Sequence, residues 1–174
     1  NRRQIGNHTL EQIRDHYRTY LFDEYLPFWT RYGVDHDRGG FFCTLDHDGT
    51  RIADSKHMWY QGRGLWTYSY LARQFQHDES LQIARRTKDF LLAHGRDTDG
   101  WWVCDLDADG GIAAPASARG YESLFVAEGL TAYAAAAQDS EALDIAIESL
   151  FRVVDLHSDP TRDVDEGYVP LCYP

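Results

Sequence analysis

Two segments about 60 residues apart carry the same local design, and a chain built that way has few folds open to it. Gly39-Gly40-Phe41-Phe42-Cys43-Thr44-Leu45-Asp46-His47-Asp48-Gly49 and Asp99-Gly100-Trp101-Trp102-Val103-Cys104-Asp105-Leu106-Asp107-Ala108-Asp109-Gly110 each run from glycine through aromatic residues to an Asp-x-Asp-Gly tip. That is the pattern of a short hairpin. Aligning Gly40 with Gly100 sets Phe41-Phe42 on Trp101-Trp102 and leaves one extra residue in the second copy. Glu166-Gly167-Tyr168-Val169 reads as a third, weaker copy.

Helical periodicity fills the intervals. Leu10, Ile13, Tyr17, Leu21, Tyr25 and Phe28 recur at steps of three and four behind a Thr9-x-x-Gln12 capping box, which predicts one long amphipathic helix. Further helices are expected over about 56–76, 79–94, 118–137 and 140–157, with Asp78 as N-cap and Gly95 as C-terminal stop of the helix at 79–94. Each repeat is thus two helices plus a hairpin. Such a unit cannot bury its helical faces alone, so the repeats are expected to stack in a solenoid or close into a ring. The odd helix count, Asn1 in place of an initiator Met and a last residue Pro174 within a strand or loop suggest a piece of something longer.

Composition excludes several function classes. With 17 Lys+Arg against 28 Asp+Glu the net charge is −11, and the basic residues are scattered, so a nucleic-acid backbone is not an expected partner. The 43% hydrophobic content supports a packed core, yet no apolar run approaches the ~20 residues of a membrane span, and no secretion signal opens the chain. A cytoplasmic location is the expectation. Cys43, Cys104 and Cys172 are odd in number and widely spaced, the pattern of reduced, buried thiols.

The densest chemistry lies in Lys56-His57-Met58-Trp59-Tyr60-Gln61-Gly62-Arg63-Gly64-Leu65-Trp66. Trp59, Arg63, Trp66 and Tyr70 share one helical face, setting an arginine between aromatic rings. That mixture suits stacking on a sugar while a fixed cation meets its oxygens, and equally an arginine that snorkels or pairs in the core. Gly62 and Gly64 each cost about 1 kcal/mol in a helix interior, which points to close backbone approach there. On the helix at 118–137, Tyr121, Phe125 and Glu128 share a face, while Leu124, Ala127 and Leu130 lean to another.

Asp105-x-Asp107-x-Asp109-Gly110 opens like a calcium loop, but Ala116 stands where the bidentate Glu belongs, so a solvated acidic tip is expected and no metal. Asp46 and Asp48 lie too close together to bracket a glycosidic bond at the ~5 to 9 Å that chemistry needs. The eight histidines show no His-Glu-x-x-His and no helical pair; His57 falls off the aromatic face and His36 lies in a loop. Phosphate-binding glycine loops are also missing from the sequence.

Tyr25-Leu26-Pro27-Phe28-Trp29, Gly39-Gly40-Phe41-Phe42, Lys56-x-x-Trp59-x-Gln61-Gly62-Arg63 and Tyr121-Glu122-Ser123-Leu124-Phe125 together resemble the N-acylglucosamine 2-epimerase family, which includes cellobiose 2-epimerases and aldose-ketose isomerases. The resemblance runs through nearly all of the chain, and the Lys-x-x-Trp-x-Gln-Gly-Arg string is its specific part. It implies an all-α fold, an (α/α)6 barrel of six helical hairpins with short β-hairpins between helical pairs, residues 1–174 forming the N-terminal part of a single catalytic domain. It also implies epimerisation at the carbon beside a sugar carbonyl through ring opening and an enediolate, without cofactor or metal. Arg63 takes the role of binding the developing negative charge, and Trp59, Tyr121 and Phe125 are the implied substrate contacts. The family's two acid/base histidines belong to the later half of the barrel, so the 174 residues alone are expected to lack turnover. A small-molecule sugar is the implied partner, with a homodimer open. A different (α/α)6 glycoside hydrolase or lyase, which needs a carboxylate pair, and a non-catalytic sugar-binding repeat module remain as alternatives.

Overall fold

The computed structural model describes residues 4–159. The third hairpin copy at Glu166-Gly167-Tyr168-Val169 and Cys172 lie outside the described residues. A two-stranded ribbon of β1 (Gln4–Ile5) and β2 (His8–Thr9) leads into α1 (Leu10–Thr19), whose capping box forms as expected: Thr9 Oγ1 accepts Gln12 N–H at 3.2 Å and Gln12 Oε1 accepts Thr9 N–H at 2.9 Å. The expected single long helix is divided. A π-helical segment at Tyr20–Tyr25 separates α1 from α2 (Leu26–Tyr32), and Leu26 N–H bonds the carbonyl of Leu21, five residues back. Pro27 has no N–H to continue the ordinary ladder, and the wider turn absorbs the break. Leu26 is the only fully buried residue in this run, and Tyr17 remains 65% exposed.

The first hairpin, β3 (Thr44–Leu45) with β4 (Arg51–Ala53), precedes β5 (Lys56–His57) and α3 (Met58–Phe75). Then follow α4 (Asp78–His94), β6 (Asp105–Leu106), β7 (Ile112–Ala114), α5 (Tyr121–Ala137) and α6 (Ser140–Ser158). Lys56 and His57 are strand, where the periodicity placed helix. They pair antiparallel with the second hairpin, Lys56 opposite Leu106 and His57 opposite Asp105, giving the sheet order β5-β6-β7. The cap of α4 is His77, whose Nδ1 accepts Ser80 N–H at 3.3 Å, and Asp78 is the first helical residue. Gly95 ends α4 in right-handed conformation; a Cβ there would lie 2.8 Å from the Trp102 ring, so close packing is what its position requires. Residue 118 lies in a turn, and α5 starts only after the left-handed Gly120.

The repeat is real, with its register moved by one residue. Asp35 N–H bonds Gly40 O at 2.9 Å as Asp97 N–H bonds Trp101 O at 2.9 Å, and the bridge Val34–Phe41 recurs as Arg96–Trp102. Gly39 therefore corresponds to Gly100 and Phe41 to Trp102, and the extra residue disappears. The tips match in the same register, Gly49 and Gly110 both having left-handed φ near +90° where a Cβ would be strained.

α3 and α5 pack against each other at the centre, with α4 and α6 on their flanks. Met58, Leu65, Val126 and Leu130 are fully buried between them, and Trp102 is pinned by Nε1–H donated to Ser149 Oγ at 2.8 Å. The contact of α3 with α5 is backbone to backbone: a Cβ on Gly62 would stand 2.4 Å from Phe125 O, and one on Gly129 2.5 Å from Gly62 O. Gly64 serves a different neighbour, the ring of Phe41. On the outer helix α6, Ile147, Leu150, Phe151 and Val154 are exposed. Among the described residues no helix is long and apolar enough to cross a membrane.

Candidate functional site

The first two turns of α3 carry Trp59 and Arg63, the first two turns of α5 carry Tyr121 and Phe125, and β5 fixes where α3 begins. Lys56 anchors the strand from within. Its ammonium, wholly buried, donates to Asp35 Oδ2 at 2.8 Å, Gly39 O at 2.9 Å and Ala108 O at 3.2 Å, and lies 4.0 Å over the Phe90 ring. It ties the turn before the first hairpin to the tip of the second. Burial makes the Lys56 ammonium less favourable, and the Asp35 carboxylate restores part of the loss. Burial works against the Asp35 carboxylate too, but the Lys56 hydrogen bond, the Arg38 N–H and the Lys56 charge together hold its pKa below the ordinary 3.8.

One turn further, Trp59 stacks on Phe125 across the α3–α5 contact, centroids 4.6 Å apart and rings 26° from parallel. The Arg63 guanidinium carbon lies 5.6 Å from the Phe125 centroid. Three of the four implied site residues therefore meet. Tyr121, the fourth, stacks its ring on His157 of α6 at 6.2 Å and 12°. Arg63 is exposed and forms no ion pair among the described residues. It lines a cavity of about 400 Å3 with Tyr25, Trp29, Phe41, Phe42 and Tyr60. No described histidine lines that cavity.

The aromatic face read from the sequence divides here. Trp66 and Tyr70 stack on each other at 5.3 Å and 12°, and both border a second cavity of about 480 Å3 with Arg73, Thr131 and Ile147. Glu128 opens into that second cavity beside Leu124 and Ala127, not with Tyr121 and Phe125.

Sequence reasoning missed a buried acidic cluster at the adjoining starts of α3 and α5. Glu122 is buried; its carboxylate accepts Ser117 Oγ–H at 2.7 Å and Cys104 Sγ–H at 3.1 Å. Asp105 nearby has its pKa raised above 3.8, by burial first, with His57 opposing and the Glu122 charge adding. Strand alternation gave no signal for it, because Cys104 and Leu106 are the buried positions and Asp105, between them, is half-buried on the other face. Asp107 and Asp109 of the acidic tip are exposed, as expected, and Asp105 is half-buried. Asp107 Oδ1 accepts the N–H groups of Asp109 and Gly111, and Asp109 pairs at the surface with Arg38 at 2.7 Å. Among the described residues no three His, Cys, Asp or Glu side chains converge as metal ligands. Burial pushes the Cys43 pKa up to about 11. His36 is in a loop, as read, with Nε2 2.7 Å from Thr30 O. Asp46 and Asp48 are both engaged in their own hairpin turn.

A family model described as N-acylglucosamine 2-epimerase (GlcNAc 2-epimerase) matches residues 39–167. Over 77 residues the chain is 38% identical to the N-acylglucosamine 2-epimerase of Bos taurus, covering 42% of this chain and 18% of that protein. Over 159 residues it is 29% identical to the cellobiose 2-epimerase of Bacteroides fragilis, covering 85% of this chain and 38% of that one. Its structure is similar to that of cellobiose 2-epimerase from Spirochaeta thermophila, with a TM-score of 0.74 and 29% identity over 84% of this chain and 36% of the other. The chain thus spans less than half the length of the relatives it matches.

Proposed function

Since this chain belongs to the N-acylglucosamine 2-epimerase family, we propose that the whole protein interconverts sugars epimeric at the carbon next to the carbonyl, and that Arg63 is the residue of this chain that acts on the reacting atoms. Removing the C2 proton of an open-chain aldose moves negative charge onto the carbonyl oxygen and gives an enediolate. A fixed cation beside that oxygen lowers the barrier because it interacts more strongly with the charged intermediate than with the neutral sugar. Arginine suits the place: it keeps its charge at any working pH, and its planar fork can meet two vicinal oxygens.

The observation that carries this reading is an arginine exposed to a cavity of about 400 Å3 with no carboxylate claiming it among the described residues. An arginine serving only the fold in the interior would be expected to pair with a carboxylate. Trp59 and Phe125 stack on each other beside the cation and do not line that cavity, so they are kept as substrate contacts on the family resemblance. Tyr121 is kept as a substrate contact on the family resemblance alone, because its ring is engaged with His157. The proton-transferring groups of this reading lie elsewhere in the whole protein. A closed (α/α)6 barrel belongs to the same proposal. It is supported by the apolar residues that α1, α2 and α6 leave exposed, which further helical hairpins would cover.

The test is to incubate the whole protein in D2O with an N-acylated hexosamine, a β-linked disaccharide and a free hexose, and to follow C1 and C2 by NMR. Epimer carrying deuterium at C2 is expected from one of them. A ketose product would move the reading to the aldose-ketose isomerases, and release of free sugar from the disaccharide to the glycoside hydrolases. No change in any of the three overturns it.

A further inference from the structure

The wall of the Arg63 cavity is held in register by one side chain that lies outside the cavity. Gln61 is fully buried on α3 and closes both backbone groups of a single residue: its Oε1 accepts Phe41 N–H at 2.8 Å and its Nε2–H donates to Phe41 O at 2.7 Å. Only a primary amide offers a neutral acceptor and donor side by side in this way, so Gln61 acts toward Phe41 as a neighbouring strand would. The fit around it is tight. A Cβ on Gly40 would come 2.7 Å from Gln61 Oε1, and the Phe41 ring lies against the Gly64 backbone and stacks on Tyr68 at 5.4 Å. Nε2 also reaches Cys43 Sγ at 3.5 Å.

Gln61 and Arg63 stand about 200° apart around α3. One faces the segment that forms the wall, and the other faces the space the wall encloses. Phe41, Phe42 and Cys43 all line the cavity, yet this stretch belongs to no strand of its own; its other ties are the bridge of Phe41 to Val34, with Phe42 N–H donated to Gly33 O at 2.8 Å, and the His57 N–H donated to Cys43 Sγ at 3.3 Å. The helix that carries the cation therefore also carries the clasp that sets the opposite wall.

We propose that Gln61 is a positioning residue, whose clasp on Phe41 fixes the separation between the Phe42–Cys43 wall and Arg63 and so sets how tightly the sugar is held. This rests on the sugar-epimerase reading above. Loss of the clasp should weaken binding in ground state and transition state alike, because the wall meets the parts of the sugar that do not react.

Gln61→Met keeps the volume and removes both hydrogen bonds. Two readouts apply in the whole protein: the rate at which iodoacetamide alkylates each cysteine, resolved by peptide mass spectrometry, and the steady-state constants. The variant is expected to alkylate Cys43 about tenfold faster with Cys104 unchanged, since the half-buried Cys43 thiol, held against Gln61 and the His57 N–H, becomes more accessible when its segment lifts. KM is expected to rise about tenfold with kcat within about threefold, the pattern of lost uniform binding, which a variant merely less stable would not show. An unchanged Cys43 rate, or a faster rate with unchanged KM, overturns the proposal. If Cys104 is exposed as well, the fold has failed, and Gln61→Glu, which keeps the acceptor for Phe41 N–H, decides by the same two readouts. If the wild-type protein epimerises nothing, it is the proposed function that falls, and the Cys43 rate still judges the clasp.

Discussion

Lys56→Met removes one charge of a buried pair and leaves the other in place. The side chain keeps its length, so packing against Phe90 is preserved, while the Gly39 and Ala108 carbonyls lose their donor and Asp35 loses its counter-charge. Breaking a buried pair from one side costs about 3–5 kcal/mol. Asp35 keeps two backbone donors, the N–H groups of Asp37 and Arg38, each at 3.0 Å, which places the expected loss near the lower end, about 3 kcal/mol. For a chain of this length that corresponds to a fall in melting temperature of about 6–12 °C. The double variant Asp35→Asn/Lys56→Met should recover part of it, because no unpaired charge remains. Thermal melts followed by circular dichroism at neutral pH measure both. Since the folded pKa of Asp35 lies below its ordinary 3.8, its share of the stability is present above pH 3.8 and is lost as pH falls through the lower folded value. A Lys56→Met melt within about 2 °C of wild type would refute the idea that this ammonium ties the two hairpins together.

Three further expectations concern the packing and the acidic cluster. Gly62→Ala should lower the melting temperature more than Gly64→Ala, although alanine is the better helix former. Its Cβ meets the backbone of Phe125, and the α3–α5 contact must open, at a cost of about 1–3 kcal/mol, while at Gly64 the Cβ meets the Phe41 side chain and no helix–helix backbone contact has to open. Asp105→Asn should raise the melting temperature at pH 7, since the folded state disfavours that carboxylate, and the difference from wild type should shrink as pH falls toward 3.8. Added calcium or EDTA should leave the melting curve unchanged, because Asp107 and Asp109 are occupied by their own turn and by Arg38; a calcium-dependent rise would make the tip a site after all.

What could be read from the sequence was whatever is local. The capping box at Thr9, the helix starting at Ser140 and the hairpin tips at Gly49 and Gly110 depend on residues a few positions apart. The glycine at 62 betrayed a close helix contact because it stands where an isolated helix would not keep it. What escaped depends on distant partners. Lys56 and His57 read as helix until β6 pairs with them from about 50 residues away. Gln61 looked like one more polar residue until Phe41 arrived beside it. The repeat was seen, but its register slipped by one, because aromatic doublets align by appearance while the turn hydrogen bonds align by geometry. The shared face of Trp59, Arg63, Trp66 and Tyr70 is correct as helix geometry, yet the neighbours of α3 send Arg63 to one cavity, Trp66 and Tyr70 to another, and Trp59 into a stack with Phe125. Which of these residues the resemblance made functional could not be had from periodicity at all.

The proposal stands or falls on the charge at Arg63, and its most direct measure is the turnover number of Arg63→Ala in the whole protein, on a sugar the wild type epimerises. Arg63 is exposed and unpaired among the described residues, so the variant should melt with wild type. Its kcat should fall by about 100-fold or more, the scale on which one strong donor to a developing oxyanion acts, and Arg63→Lys should recover little of it. A variant that turns over at the wild-type rate would contradict the enediolate role and leave Arg63 a solvated side chain on the rim of a cavity.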